Sequence, residues 1–275
     1  MLRHGESALL FVWIEIDDDK TVPQLLLSRV MYPEIGIASM NSAEYLLEVS
    51  DRMPVLISPP LEGEGWVGAG APGPDSYHRR AALPMNGKWY VAQRFAVDWI
   101  QVDKEGKFTK GDPKKNESHY CFGKEIHAVA DGIVTSVLDG LPENIPGEFP
   151  EVKTPDELEG NHIVTDIGGG NHVFYAHLQP GSLRVKKGDA VKKGQVIALL
   201  GNTGHSDAPH LHIHVCDGPD PVRSNGLPFH CEELEIVGKA ENEADMKKGA
   251  LSCVWYDSPV AARDDMPFEN DIVDF

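Results

Sequence analysis

Short apolar stretches bounded by glycine, proline, asparagine or aspartate recur along almost the whole chain. No window of a dozen or more residues before the last third keeps a clean helical apolar repeat. A chain patterned this way must bury its apolar side chains in strands, so the sequence predicts a mainly β, mainly antiparallel fold. Strands are expected over 9–15, 132–137, 161–166, 173–177, 195–200 and 210–215. Proline and glycine at 59–65 and 71–75 interrupt regular pairing and suggest a boundary. Residues 1–58 then read as a small N-terminal β unit, 59–230 as the main domain, and 231–275 as an acidic C-terminal extension packed on it. The polar stretches 104–117 and 140–160 read as surface insertions, which cost little because loop entropy grows slowly with length. Trp66, Trp89, Tyr90 and Trp99 read as core residues.

Charge and cysteine usage narrow the function. The 275 residues carry a formal net charge of −18, which repels phosphate backbones and argues against nucleic acid as partner. The last 44 residues hold 12 acidic and 4 basic side chains and read as a solvated acidic surface. The apolar run at 8–14 is too short to span a membrane, and it lacks the flanks of a signal peptide, so no transmembrane segment or export signal is expected. Cys121, Cys216, Cys231 and Cys253 lack the spacing of a zinc site and read as free and mostly buried.

The twelve histidines are informative through their placement. In Pro209-His210-Leu-His212-Ile-His214-Val215, imidazoles alternate with aliphatic residues. On a strand all three rings project from one face, while Leu211, Ile213 and Val215 project from the other. Imidazoles two apart on a rigid strand are placed to hold a metal and to move protons beside it. His177 ends another expected strand. Asp98 follows the stretch Gln93-Arg94-Phe-Ala-Val, where a buried acid needs a partner or a cation.

Together these segments resemble the lysostaphin-type zinc endopeptidases, which cleave peptide crosslinks of bacterial cell walls. The likeness runs roughly from residue 92 to 217. It rests on Tyr175-Ala-His177-Leu, then Val185-Lys-Lys-Gly-Asp189-Ala-Val-Lys-Lys-Gly194-Gln, then Gly201-Asn-Thr-Gly204-His-Ser206, then Pro209-His210-Leu-His212, in the family's order. Ala130-Asp131-Gly132 fits the turn upstream. The resemblance implies a compact sandwich or barrel-like peptidase domain that hydrolyses peptide bonds with metal-activated water. It implies zinc ligands at Asp98 and His212, and a catalytic pair at His177 and His210. A cell-wall peptide or peptidoglycan crosslink is the implied substrate, which places the protein in the cell envelope or outside the cell.

One position departs from the pattern. The family's remaining ligand is a histidine four residues before the aspartate, and here that residue is Arg94, whose guanidinium has no lone pair to donate. His214, His78 or Gln93 could take its place, although two residues along a strand span about 6.6 Å, which is long for His212 and His214 to share an ion. A catalytically degenerate member that binds or regulates through wall peptides is the alternative reading. The Val-x-x-Gly-Asp segment also resembles half of a biotinyl or lipoyl carrier, but the turn that follows has no lysine to modify.

Overall fold

The computed structural model describes residues 11, 12, 14, 16, 20–33, 40–151, 154, 157–241 and 250–275. The expected strand at 9–15 falls largely outside them. The chain divides into two compact units, residues 1–53 and 54–275. In the first, β1 (Leu25–Pro33) and β2 (Met40–Glu48) form an antiparallel pair, with Leu25 opposite Glu48 and Pro33 opposite Met40.

The second unit is built from short strands, and no α-helix occurs among the described residues. In chain order these strands are β3 (Val55–Ile57), β4 (Trp66–Ala69), β5 (Leu83–Met85), β6 (Lys88–Tyr90), β7 (Val97–Gln101), β8 (Glu125–His127) and β9 (Gly132–Leu138). They continue with β10 (His162–Asp166), β11 (His172–Ala176), β12 (Ala190–Val191), β13 (Val196–Leu199), β14 (Leu211–Cys216), β15 (Gly226–Leu227) and β16 (Phe229–Cys231). The last three are β17 (Leu234–Ala240), β18 (Cys253–Ala262) and β19 (Asp271–Asp274). Among the described residues one sheet holds eleven of them in the order β12-β9-β10-β11-β14-β7-β4-β19-β17-β18, with β15 added on β14. Every pairing in it is antiparallel. The mainly β expectation holds, and five of the expected strands appear within one or two residues of their expected ends. No helix among the described residues is long and apolar enough to cross a membrane.

Burial explains why the sheet is continuous. Leu211, Ile213 and Val215 of β14 are fully buried in the main core with Trp66, Trp99 and Tyr175. Trp89 does not join them: it sits on the β5–β6 hairpin and is 40% exposed. The free thiols of Cys121, Cys216 and Cys231 are buried, and that of Cys253 is half-buried.

The boundaries differ from the sequence reading at both ends. The proline- and glycine-rich stretch 59–65 lies inside the second unit, because Leu61 is buried in the core and the Pro60 carbonyl accepts a hydrogen bond from His127 N–H. Residues 231–275 are not a separate extension. They supply β17, β18 and β19, and β19 fills the place between β4 and β17 with Ile272 and Val273 fully buried. Phe275 packs edge-on against Trp99 with ring centroids 5.1 Å apart.

The loop after β9 is tied down rather than free. Leu141 N–H donates to Asn161 Oδ1, and Asn144 Nδ2 donates to the carbonyls of Gly204 and Ser206. Glu143 Oε2 accepts the Asn202 N–H at 2.6 Å. Burial, with Glu117 nearby, raises the Glu143 carboxyl from 4.5 to about 7, against the opposing pull of that hydrogen bond.

Two outcomes follow for stability. Removing 271–275 deletes the buried Ile272 and Val273, worth about 1.5–3 kcal/mol each, and strips β4 and β17 of a partner. Thermal unfolding of the truncated chain should fall by roughly 10 °C or more, and an unchanged midpoint would show the tail to be dispensable. Between the ordinary carboxyl range and about 7 the folded state keeps the Glu143 proton that the unfolded state has released, so stability contributed here falls as pH rises through that window. Glu143→Gln should flatten this slope in a pH series of melts; an identical slope in the variant would contradict the assignment.

Candidate active site

Three neighbouring strands bring the site together. In the register of β14 with β7, His212 lies directly opposite Asp98; in that of β14 with β11, it lies opposite Ala176, so His177 emerges at the strand end beside it. Side chains directly opposite on one face of a sheet have Cβ atoms about 5 Å apart. His78 arrives from elsewhere, on the 3-10 turn His78–Arg80. Together with Tyr77 and His210 these residues line a cleft of about 440 Å³.

Asp98 is the hub. Its Oδ1 lies 2.8 Å from His212 Nδ1 and 3.6 Å from His210 Nε2, and its Oδ2 lies 3.3 Å from His78 Nε2. The Tyr77 hydroxyl donates to Oδ2 at 2.6 Å. Burial by itself would raise this carboxyl, but the rings of His78, His210 and His212 outweigh it and hold Asp98 well below the usual range. Burial lowers His78, and the adjacent Asp98 more than reverses this, so that ring is raised. His177 is held well below the usual imidazole range, first by burial and then by His210 and His212.

Backbone carbonyls fix the protons on three of the rings, because a carbonyl only accepts. His78 Nδ1–H donates to Gly70 O at 2.9 Å, His177 Nδ1–H to Thr203 O at 2.7 Å, and His210 Nδ1–H to Ala208 O at 2.8 Å. In the neutral ring each Nε2 then carries a lone pair. His177 is held at φ 61, a left-handed conformation that a non-glycine residue adopts only under constraint. The Gly201–Gly204 segment supplies that constraint. Gly201 N–H donates to the His177 carbonyl, and a Cβ on Gly201 would come within 2.5 Å of Gln179 N. These glycines let the backbone approach until the Thr203 carbonyl reaches the His177 ring.

The residues that could replace the absent histidine separate clearly. One donor atom each from His78, Asp98 and His212 lies within 4.8 Å of the others, so two imidazoles and a carboxylate already face one point. That is a donor set zinc accepts, with room for a further ligand. His78 stands twenty residues before Asp98, with the β5–β6 hairpin between them, whereas Arg94 stands four residues before it. Arg94 lies in the turn before β7 with its guanidinium over the Phe95 ring, 5.2 Å from the centroid, and is not part of the cleft wall. Gln93 donates through Nε2 to Glu159 Oε1 at 3.0 Å. His214 lies behind His212, on the side away from Asp98, with Nδ1 2.8 Å from His212 Nε2 and its ring stacked on Phe174.

Sequence reasoning passed over Tyr77 and Glu159. Tyr77 immediately precedes His78 and carries no motif of its own. Glu159 sits at the end of a stretch read as surface insertion, yet it is almost fully buried.

Residues 119–224 match the model of peptidase family M23. Among curated proteins, the chain is 27% identical over 160 residues to the peptidoglycan DD-endopeptidase ShyA of Vibrio cholerae, covering 58% of this chain and 31% of that one. It is 44% identical over 60 residues to the glycyl-glycine endopeptidase ALE-1 of Staphylococcus capitis, covering 18% of this chain and 16% of that one. The chain thus spans less than a third of the length of either relative. Among solved structures, the catalytic domain of lysostaphin from Staphylococcus simulans aligns with a TM-score of 0.32 at 20% identity, covering 60% of this chain and 88% of that one. His78 and Asp98 lie upstream of the family match, while His177, His210 and His212 lie within it. The chain is thus similar to peptidase family M23 over residues 119–224.

Proposed function

We propose that the protein is a zinc metalloendopeptidase that hydrolyses peptide crosslinks of the bacterial cell wall. The observation that carries this reading is the convergence of His78, Asp98 and His212 in one cleft with the rings of His177 and His210. The matched relatives named as peptidoglycan and glycyl-glycine endopeptidases support the substrate class. Arg94, the ground for reading the chain as a silent peptide-binding module, lies outside the cleft wall.

His78 Nε2, an Asp98 oxygen and His212 Nδ1 would hold the zinc. When bound, zinc supplies Lewis acidity for water and for the scissile carbonyl. The protein's own groups do the rest. His177 and His210 have ring centroids 4.5 Å apart, and each has its Nδ1 proton committed to a carbonyl. Their two Nε2 atoms can take a proton from the attacking water and deliver one to the leaving amine. The same pair, when protonated, offers N–H donors to negative charge developing on the carbonyl oxygen. Tyr77, donating to Asp98 Oδ2, keeps the carboxylate oriented.

Metal content and hydrolysis of purified peptidoglycan test this together. The native chain and Arg94→Ala should each hold one zinc per chain, and His78→Ala should lose it. His177→Ala and His210→Ala should keep zinc while crosslink cleavage drops at least about 100-fold. Zinc retained in His78→Ala would remove that residue from the ligand set. A zinc-loaded native chain inert on both directly linked and glycine-bridged walls would sink the proposed activity.

A further inference from the structure

The cleft has two unlike sides. One holds the imidazoles and Asp98; the other is faced with carbon from Leu83, Phe149, Leu158, Pro221 and Val222. A single exposed aromatic ring needs no explanation. Phe149 is set apart because it is 62% exposed on the cleft wall itself, and because the His205 ring lies against it, with centroids 5.0 Å apart and planes 30° from parallel. His205 is exposed as well. The two rings leave apolar surface open to whatever occupies the cleft.

Backbone contacts hold both rings in place. The strap 139–151 that carries Phe149 is bonded to the segment 202–207 that carries His205. Asn144 N–H donates to Asn202 O and Gly147 N–H to Asp207 O, each at 2.7 Å, and Asn144 Nδ2 bridges the carbonyls of Gly204 and Ser206. Pro146, within the strap, is buried. His205 N–H donates in turn to the carbonyl of Leu158, another wall residue, at 3.0 Å. The same segment runs on to His210, and Ser206 Oγ donates to Asn202 Oδ1 at 2.7 Å across its turn. The two-ring platform and His210 therefore belong to one braced stretch of chain, which fixes the offset between the platform and the reacting centre.

Charge and shape narrow what this platform takes. Among the described residues the cleft wall includes three carboxylates, Asp98, Glu159 and Asp207, and no lysine or arginine, in a chain of net charge −18. A free carboxylate aimed at this wall is repelled, whereas neutral carbon is not. A glycine bridge brings backbone alone and has no side chain to lay on two rings. A direct crosslink, in which an alanine carbonyl is joined to the side-chain amine of a diamino acid, brings a methyl group and several methylenes next to the scissile bond.

We infer that Phe149, seated on His205, is a specificity-determining residue: it receives the side-chain carbon of directly linked crosslinks and so favours them over glycine bridges. The inference rests on the reading of the cleft as an endopeptidase site and names the crosslink that site takes.

Two soluble crosslinked peptides, one directly linked and one glycine-bridged, test this by cleavage and by binding. Binding is read by calorimetry in the His177→Ala background, where both peptides stay intact. With Phe149 present, kcat/KM for the direct crosslink should exceed that for the bridged one at least about tenfold, and affinity should differ by a similar factor. Phe149→Ala should remove most of this preference, chiefly through KM for the direct crosslink, with zinc content unchanged; Phe149→Tyr should keep it. Phe149 is exposed, so its truncation spares the core. Asn144→Ala, which frees the strap with Phe149 intact, should lower the preference in the same direction. A preference unchanged in Phe149→Ala, or a native chain that favours the bridged peptide, overturns the inference and leaves the endopeptidase reading standing. A binding preference that Phe149→Ala abolishes, with neither peptide cleaved by the native chain, keeps the platform and overturns the endopeptidase reading. A native chain that neither binds nor cleaves either peptide overturns both.

Discussion

The pairing of β14 with β7 is the constraint on which the site depends. It sets His212 opposite Asp98 at the centre of an eleven-stranded sheet. A buried carboxylate costs several kcal/mol unless partners offset it. Asp98 is offset by the ring of His212 on β14, that of His210 just before the strand, a third from the 3-10 turn, and the Tyr77 hydroxyl. A slip of one residue in this register would turn His212 toward the core and bring Leu211 or Ile213 to face the carboxylate. The aliphatic face of β14, fully buried among Trp66, Trp99 and Tyr175, is what forbids that slip.

The backbone does much of the chemical preparation. Carbonyls of Gly70, Thr203 and Ala208 assign a proton to Nδ1 of three rings, and glycines allow the approach that this requires. Gly70 is an instance: a Cβ there would meet the Tyr77 ring at 2.5 Å, in the turn that delivers both Tyr77 and His78. Gly201 and Gly160 play the same part around His177 and Glu159. The motif glycines therefore matter through what they bring close rather than through lining the cleft.

Local pattern made part of this legible from the amino-acid order. The alternation from His210 to Val215 identified a strand and its two faces, because side-chain direction in a strand depends only on parity. Spacing singles out Arg94, four residues before Asp98, while the proximity of His78 to the carboxylate is visible only in the folded chain, because the β5–β6 hairpin lies between them in sequence. Composition misled where burial is decided by distant partners. The acidic tail reads as a solvated surface, yet Ile272 and Val273 complete the sheet between β4 and β17. Trp89 reads as core but tops an exposed hairpin, and Glu159 reads as loop but is enclosed.

The central claim is that His78, from outside the usual spacing, joins Asp98 and His212 to form a complete ligand set. X-ray absorption at the zinc edge of the loaded protein, compared between the native chain and His78→Ala, tests it most directly. The account predicts a first shell of nitrogen and oxygen only, with two imidazoles in the native protein and one at most in the variant. Two imidazoles persisting in His78→Ala, or sulfur in the native shell, would contradict it.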